Sequence, residues 1–402
     1  MRGFAQLDWW TGGLMLAVAT AVGLAGACGG DGPTTPSAET LASGKQIFRF
    51  DTFGDETFWT DTLGMNAVVE GVPPTTALAV GLKVDADTLP PAVLQAIQAG
   101  QVDLNDPATT VTLLKLGAVV GVRATVDSTN HVTRFGVTCA LCHSTVDNRV
   151  APGIGSRLDG WPNLDLNPGA IIALSPALTA AQKAVYNSWG PGRYDARYNF
   201  DGLNGPTVIP PAYGLAGVHS VTFTGDGNEL AYWNRYVAVT QMHGHGTFDE
   251  PRLGIRVRNP PDSVSDKLAA LQAYQLSIAA PAPPAGSFDG AAAQRGKAVF
   301  DGAGQCATCH SGTLRTDANS RLHPPADVVS EPEPNGEPSA AARSATKQYR
   351  TTPLRALWQH APYFHNGTAA TLADVVERYD AVRHLGLTPQ QKQDLVEYLK
   401  SF

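Results

Sequence analysis

Cys139-Ala140-Leu141-Cys142-His143 and Cys306-Ala307-Thr308-Cys309-His310 are two copies of one pattern, C-x-x-C-H, and its reading decides the fold. Two thiols at this spacing can form thioether bonds to the two vinyl groups of one porphyrin. The His that follows then lies under the ring, where its imidazole can bind the iron. A zinc site, a redox dithiol and a pair of disulfides compete with this. Paired zinc knuckles usually stand roughly 15–20 residues apart, and here the interval is far longer. A redox C-x-x-C needs no trailing His, yet both copies have one. The pattern therefore predicts two covalent c-type haems, bound through Cys139, Cys142, Cys306 and Cys309, with His143 and His310 on the irons.

Four of the five cysteines are thereby used. The fifth, Cys28, ends a stretch that reads as an export signal: Arg2, then an apolar run from Leu14 to Ala27 closing in small residues. A membrane span needs about 20 residues, so this run suits a signal-peptide core better. Ala25-Gly26-Ala27-Cys28 resembles a lipobox, although its Leu24 stands one place early. Residues 1–28 are thus expected to be a lipoprotein signal with Cys28 as the lipidated residue. Haem attachment of this kind also takes place outside the bacterial cytoplasm. The expected location is the periplasm, with a lipid anchor in the outer membrane as the sole membrane contact.

The chain has 402 residues, of which 43% are hydrophobic and 16% charged, with 41 Gly and 29 Pro. This is the composition of a loop-rich globular protein with room for two domains. The net charge of −7 includes no basic patch and argues against nucleic acid as a partner. Residues 29–44 open on GGDGPTTPSA and read as a flexible tether, and 281–287 as a Pro-rich linker. The expected domains are an N-terminal haem domain at 45–280 and a C-terminal cytochrome c domain at 288–402.

Helix signals position the second motif. Asp289 can cap a helix running to Gly302, Thr371 caps another, and Thr388-Pro389-Gln390-Gln391 is a capping box for the last. Val120–Val126 and Val132–Val137 alternate about Asp127-Ser128-Thr129-Asn130 and read as a β-hairpin. The expected fold is mainly α: two cytochrome c-like haem domains with long loops, and a small β-hairpin in the first.

Tyr349-Arg350-Thr351-Thr352-Pro353-Leu354-Arg355 and Ala361-Pro362-Tyr363-Phe364-His365-Asn366-Gly367 resemble the signature of bacterial di-haem cytochrome c peroxidases and of MauG-like enzymes, which oxidise side chains of a partner protein. Asn204-Gly205-Pro206-Thr207-Val208 is similar to that family's N-x-P-T-V segment. The likeness is strong over residues 288–402, patchy over 139–260 and absent over 45–135.

The resemblance implies site residues. The residue fourteen after His365 is Tyr379, where the peroxidases have a Met ligand and MauG-like enzymes a Tyr. A phenolate there is a hard donor that stabilises ferric iron. The family also holds a calcium ion, which here would lie on Asn204 and the carbonyls of His360 and Pro362. The family's proton-shuttling Glu is replaced by Gln241, which cannot exchange a proton near neutral pH. Its relay Trp falls near Thr224, with Trp233 the nearest substitute, and no His lies between His143 and Asn204. The Met242-His243-Gly244-His245 cluster is the candidate to bind or gate the first haem.

Two functions remain open. One is a peroxidase-like or MauG-like oxidoreductase, fed by a small redox protein or the quinol chain and acting on hydrogen peroxide or a protein substrate. The other is a non-catalytic electron carrier.

Overall fold

The C-terminal third is built from helices whose ends are set by their caps. In the computed structural model, which describes residues 35–402, α3 (Gly290–Asp301) starts where the Asp289 carboxylate accepts from the N–H groups of Ala291 and Ala292. The capping boxes of Thr371 with Asp374 and Thr388 with Gln391 start α4 (Leu372–Arg383) and α5 (Pro389–Lys400). Phe300, Leu357, Val376, Leu395 and Leu399 are buried together between these helices. Each such side chain contributes about 1.5–3 kcal/mol of burial. α3 and α5 cross at Gly296, where a Cβ would fall 1.9 Å from the Asp394 carbonyl oxygen. Only glycine lets the backbones approach this closely.

The N-terminal region repeats that device. α1 (Ala38–Phe50) is capped by the Ser37 hydroxyl, which accepts from Thr40 N–H. It crosses α2 (Leu268–Ser277) at Gly44, where a Cβ would fall 2.0 Å from the Ala270 carbonyl. This corrects the expected tether: its last residues, from Ala38, form the first turns of α1, because Ser37 ends the Pro- and Gly-rich stretch with a capping hydroxyl. Phe48, Trp59, Val120, Tyr236 and Leu271 belong to the core around this pair.

The expected hairpin is present as β1 (Val122–Val126) and β2 (Val132–Val137), antiparallel with Val122 opposite Val137. Its turn is held by the Asp127 carboxylate, which accepts from the N–H groups of Thr129 and His131. Like the hairpin, every sheet among the described residues has two strands, so the fold is mainly helical. Residues 279–288 run without helix or strand between α2 and α3, and Ser37–Phe402 forms one compact unit. The two cores therefore belong to one body. The signal segment and Cys28 lie outside the described residues.

Candidate haem centres

Four residues after α3, the chain reaches Cys306, and Cys306–Thr308 makes one 3₁₀ turn. His310 follows, its Nδ1 3.2 Å from the Arg315 carbonyl oxygen. Donation from Nδ1 to a carbonyl leaves the Nε2 lone pair free for a metal. Burial pushes the His310 pKa down to about 4, so the ring is neutral and ready to ligate at neutral pH. The ring faces a cavity of about 500 Å³, which Cys306, Cys309 and Leu399 also line.

The lining of this cavity suits a porphyrin. Arg350 and Arg355 both face it, and each has a buried Nε with no hydrogen-bond partner. Burial alone pushes the Arg350 pKa down to about 10. Arg350 also donates through Nη1 to the Ser220 carbonyl, but a buried guanidinium N–H left without an acceptor calls for one, and a haem is an apolar disc that carries two propionate carboxylates. Tyr379 projects from α4 into the same cavity as His310. Burial pushes its phenol up to about 12, so without a metal the group stays protonated. A ferric iron beside it would favour the phenolate.

The first motif has closer neighbours. Cys142 and His143 offer their carbonyl oxygens to the N–H groups of Asn163 (2.9 Å) and Gly160 (2.8 Å). His143 Nδ1 lies 3.1 Å from the Pro210 carbonyl, and burial holds this ring neutral as well, with a pKa of about 4. Burial pushes the Cys139 and Cys142 thiols up to about 12. Pro210 joins the two motifs: its carbonyl accepts from His143, while it, Val208, Tyr213 and Leu215 line the cavity of the second. One short segment thus touches His143 of the first motif and lines the cavity of the second.

Gln241 is buried and locked. Its Oε1 accepts from Tyr194 OH at 2.7 Å, and its Nε2 donates to Tyr236 OH at 3.1 Å and to Thr240 Oγ1 at 3.2 Å. Burial, with the Cys142 thiol nearby, holds the Tyr194 phenol well above its ordinary range. Trp233 stacks on Tyr236 with ring centroids 4.7 Å apart, under the Arg197 guanidinium.

The Met242–His245 segment reaches the first motif through a strap at residues 53–58. Met242 is buried, and His243 stacks on Phe58 at 3.7 Å, its pKa pushed by burial down to about 4. His245 N–H donates to the Phe53 carbonyl at 2.7 Å. Two residues on, the Asp55 carboxylate accepts from Val137 N–H, just before Cys139. Asp55 is fully buried and its pKa is raised to about 10, chiefly by that burial.

The calcium reading does not fit. Asn204 Oδ1 accepts from Trp189 Nε1 and its Nδ2 donates to Ser188 Oγ, both at 2.9 Å, which ties the amide to the chain with one Oδ1 lone pair left over. The cation beside it belongs to the chain. Arg343, 5% exposed, donates to the carbonyls of Leu203 (2.7 Å) and Gly205 (3.1 Å) and to the carboxylates of Asp195 and Asp201. His360 and Pro362 instead line the second cavity.

Sequence reasoning missed Asp55, Tyr194, Tyr236, Arg343 and the role of Pro210. None lies in a spaced motif, and only the fold brings them to the site. Arg350 and Arg355 did stand inside a quoted signature, where two Arg flanking Thr-Thr-Pro-Leu were the available signal.

A Cytochrome c family model matches residues 293–402. Cytochrome-c peroxidase IdrP1 of Denitromonas iodatirespirans is 30% identical over 33% of this chain and 48% of its own length. Its namesake from Pseudomonas sp. (strain SCT) is 25% identical over 53% of this chain and 72% of its own. The chain thus spans about half the length of the first of these relatives. Among solved structures, hydrazine synthase of Kuenenia stuttgartiensis overlaps 49% of this chain and 73% of its own at 20% identity, with a TM-score of 0.33. A MauG-like protein associated with microbial copper homeostasis overlaps 48% and 72%, also at 20% identity, with a TM-score of 0.32.

Proposed function

The chain belongs to the di-haem cytochrome c peroxidase/MauG-like family of haem oxidoreductases and carries covalent c-type haem; from that premise we propose that it holds two haems and moves electrons from the second to the first, where they are used on hydrogen peroxide. The observation that carries this reading is the Val208–Leu215 segment, which touches His143 on one side and lines the second cavity on the other. Two redox centres so placed exchange electrons over a short path.

A bound haem supplies one-electron chemistry and, where an iron position is open, a place for peroxide. The protein does the rest. Carbonyls of Pro210 and Arg315 orient the two imidazoles. Arg350 and Arg355 are the residues that would neutralise the propionates of a haem in the second cavity, and Tyr379 is the one whose phenolate would hold its iron at low potential. Beside the first motif, the Tyr194 phenol and the Asp55 carboxyl are both protonated at neutral pH. The Tyr194 proton is held on Gln241 Oε1, which leaves the Asp55 carboxyl as a donor where Gln241 has no proton to exchange.

Export and lipidation of Cys28 complete the proposal, with a periplasmic electron donor. Intact mass of the exported protein should exceed the processed polypeptide by two haem masses. The half-reduced protein should consume peroxide with a change confined to one haem spectrum. One haem per chain, or two spectra indifferent to peroxide, would sink the reading.

The fixed amide of Gln241 favours a second reading, a non-catalytic carrier. Its mark would be two six-coordinate, low-spin ferric haems that ignore peroxide.

A further inference from the structure

The loop at residues 330–340 is pinned to the segment that follows Tyr363. Asn366 Nδ2 donates to the Ser330 carbonyl at 3.1 Å and to Glu333 Oε2 at 2.9 Å. This brings Glu331, Glu333 and His365 together, with a ring nitrogen and one oxygen of each carboxylate all within 4.8 Å of one another. The His365 and Glu333 side chains are 4% and 6% exposed. His365 borders the second cavity, yet haem attachment and iron ligation use none of the three.

Donors and acceptors in this cluster do not balance. His365 Nδ1 lies 3.2 Å from Ser330 Oγ, so a neutral ring that donates there turns its Nε2 lone pair inward. That lone pair faces Glu333 Oε1 at 2.6 Å, an acceptor against an acceptor. Tyr349 OH stands 3.3 Å from the same Nε2, 3.4 Å from Glu333 Oε1 and against Glu331 Oε1 as well. Its one proton serves only one of them. Among the described residues no Lys or Arg pairs with either carboxylate. A proton on His365 offsets one negative charge and leaves the other without a counter-ion. A divalent cation offsets both.

One imidazole and two carboxylates are a donor set for first-row divalent ions such as Zn²⁺ and Mn²⁺. Ligands about 2.0–2.2 Å from a metal stand about 3.0–4.2 Å from one another. The cluster meets this once the His365–Glu333 contact opens by roughly a few tenths of an ångström. Each ligand is also oriented from behind. Ser330 holds the His365 ring, Asn366 holds Glu333 Oε2, and Ser339 Oγ donates to Glu331 at 2.7 Å.

We propose that Glu331, Glu333 and His365 form a binding site for a divalent transition-metal ion in the wall of the second cavity. The site rests on neither reading of what the haem centres do. Its ligands bond to one another, so a metal enters by displacing those bonds and exchanges with solution. Protein purified without added metal is therefore the metal-free reference.

The test is a calorimetric titration of the purified di-haem protein with Zn²⁺ near neutral pH. One Zn²⁺ should bind per chain. Glu333→Gln and His365→Gln should each weaken binding at least about tenfold, the scale of losing even an outer partner of a ligand. If either variant does not fold, Glu331→Gln, at the partly exposed ligand, should weaken it several-fold. Zinc-edge X-ray absorption of the loaded wild-type protein should show an imidazole in a shell of nitrogen and oxygen. Asp317→Asn should leave binding unchanged. Binding that Asp317→Asn abolishes, or a shell containing sulfur, would place the metal on Cys309, Asp317 and His323 and overturn the proposal. Equal affinity in wild type and variants, or no binding at all, would overturn it too.

Discussion

The two C-x-x-C-H motifs share an attachment chemistry and a scaffold but not a setting. Each follows a helix that crosses a later one at a glycine, Gly44 over Ala270 for the first and Gly296 over Asp394 for the second. Each His is neutral, with Nδ1 on a carbonyl. The second motif faces a roomy cavity of mixed lining, where Arg350 and Arg355 each keep a buried Nε without a partner. Around the first, phenols and carboxyl groups crowd in, and residues 51–138 are inserted between α1 and the motif. On the proposed function, haem attachment is the constant, and the surroundings are what assign one centre to storing an electron and the other to spending it.

The largest effect should come from the link between the halves. Arg343→Met strips the buried Asp195 and the more exposed Asp201 of their shared cation and should cost about 3–5 kcal/mol, mostly through Asp195, read as a lower denaturation midpoint. A chelator such as EDTA should leave that midpoint unchanged; a large shift would restore calcium as the link. Next, Gly296→Val and Gly44→Val each push a side chain into a facing backbone and should cost at least about 1–3 kcal/mol. If the scaffold is shared, the two losses are similar. A silent Gly44→Val would break the parallel.

Much of the second setting was legible in the sequence. Caps at Asp289, Thr371 and Thr388 fix its helices locally, and Tyr379 falls into the cavity that the motif register implies. The first setting was not legible, for a physical reason. Its scaffold helices, at 38–50 and 268–277, lie far from the motif in sequence, and their pairing depends on Gly44, one glycine among 41. The Pro-rich stretch read as ending at residue 44, yet Ser37 supplied a cap seven residues sooner. Asn204 carried a family role on paper. Its amide is taken by Trp189 and Ser188, contacts that no local pattern announces.

Smaller effects separate the centres further. Tyr379→Phe should change the ferric spin state of one haem and leave the other alone. No spectral change would make Tyr379 ordinary packing. Asp55 should make stability depend on pH. Its folded pKa of about 10 lies above the ordinary 3.8, so its contribution is complete below pH 3.8 and is lost as pH rises toward 10. Asp55→Asn should flatten the fall in denaturant midpoint between pH 5 and 9, and an equal slope in both proteins would show that another group titrates.

An anaerobic redox titration of the exported protein, followed by a peroxide addition at half reduction, tests the inequality of the two haems most directly. Two one-electron steps at separate potentials are expected, the lower belonging to the Tyr379 haem, with peroxide altering only the spectrum of the other haem. A single haem, or two haems titrating together and both indifferent to peroxide, would contradict it.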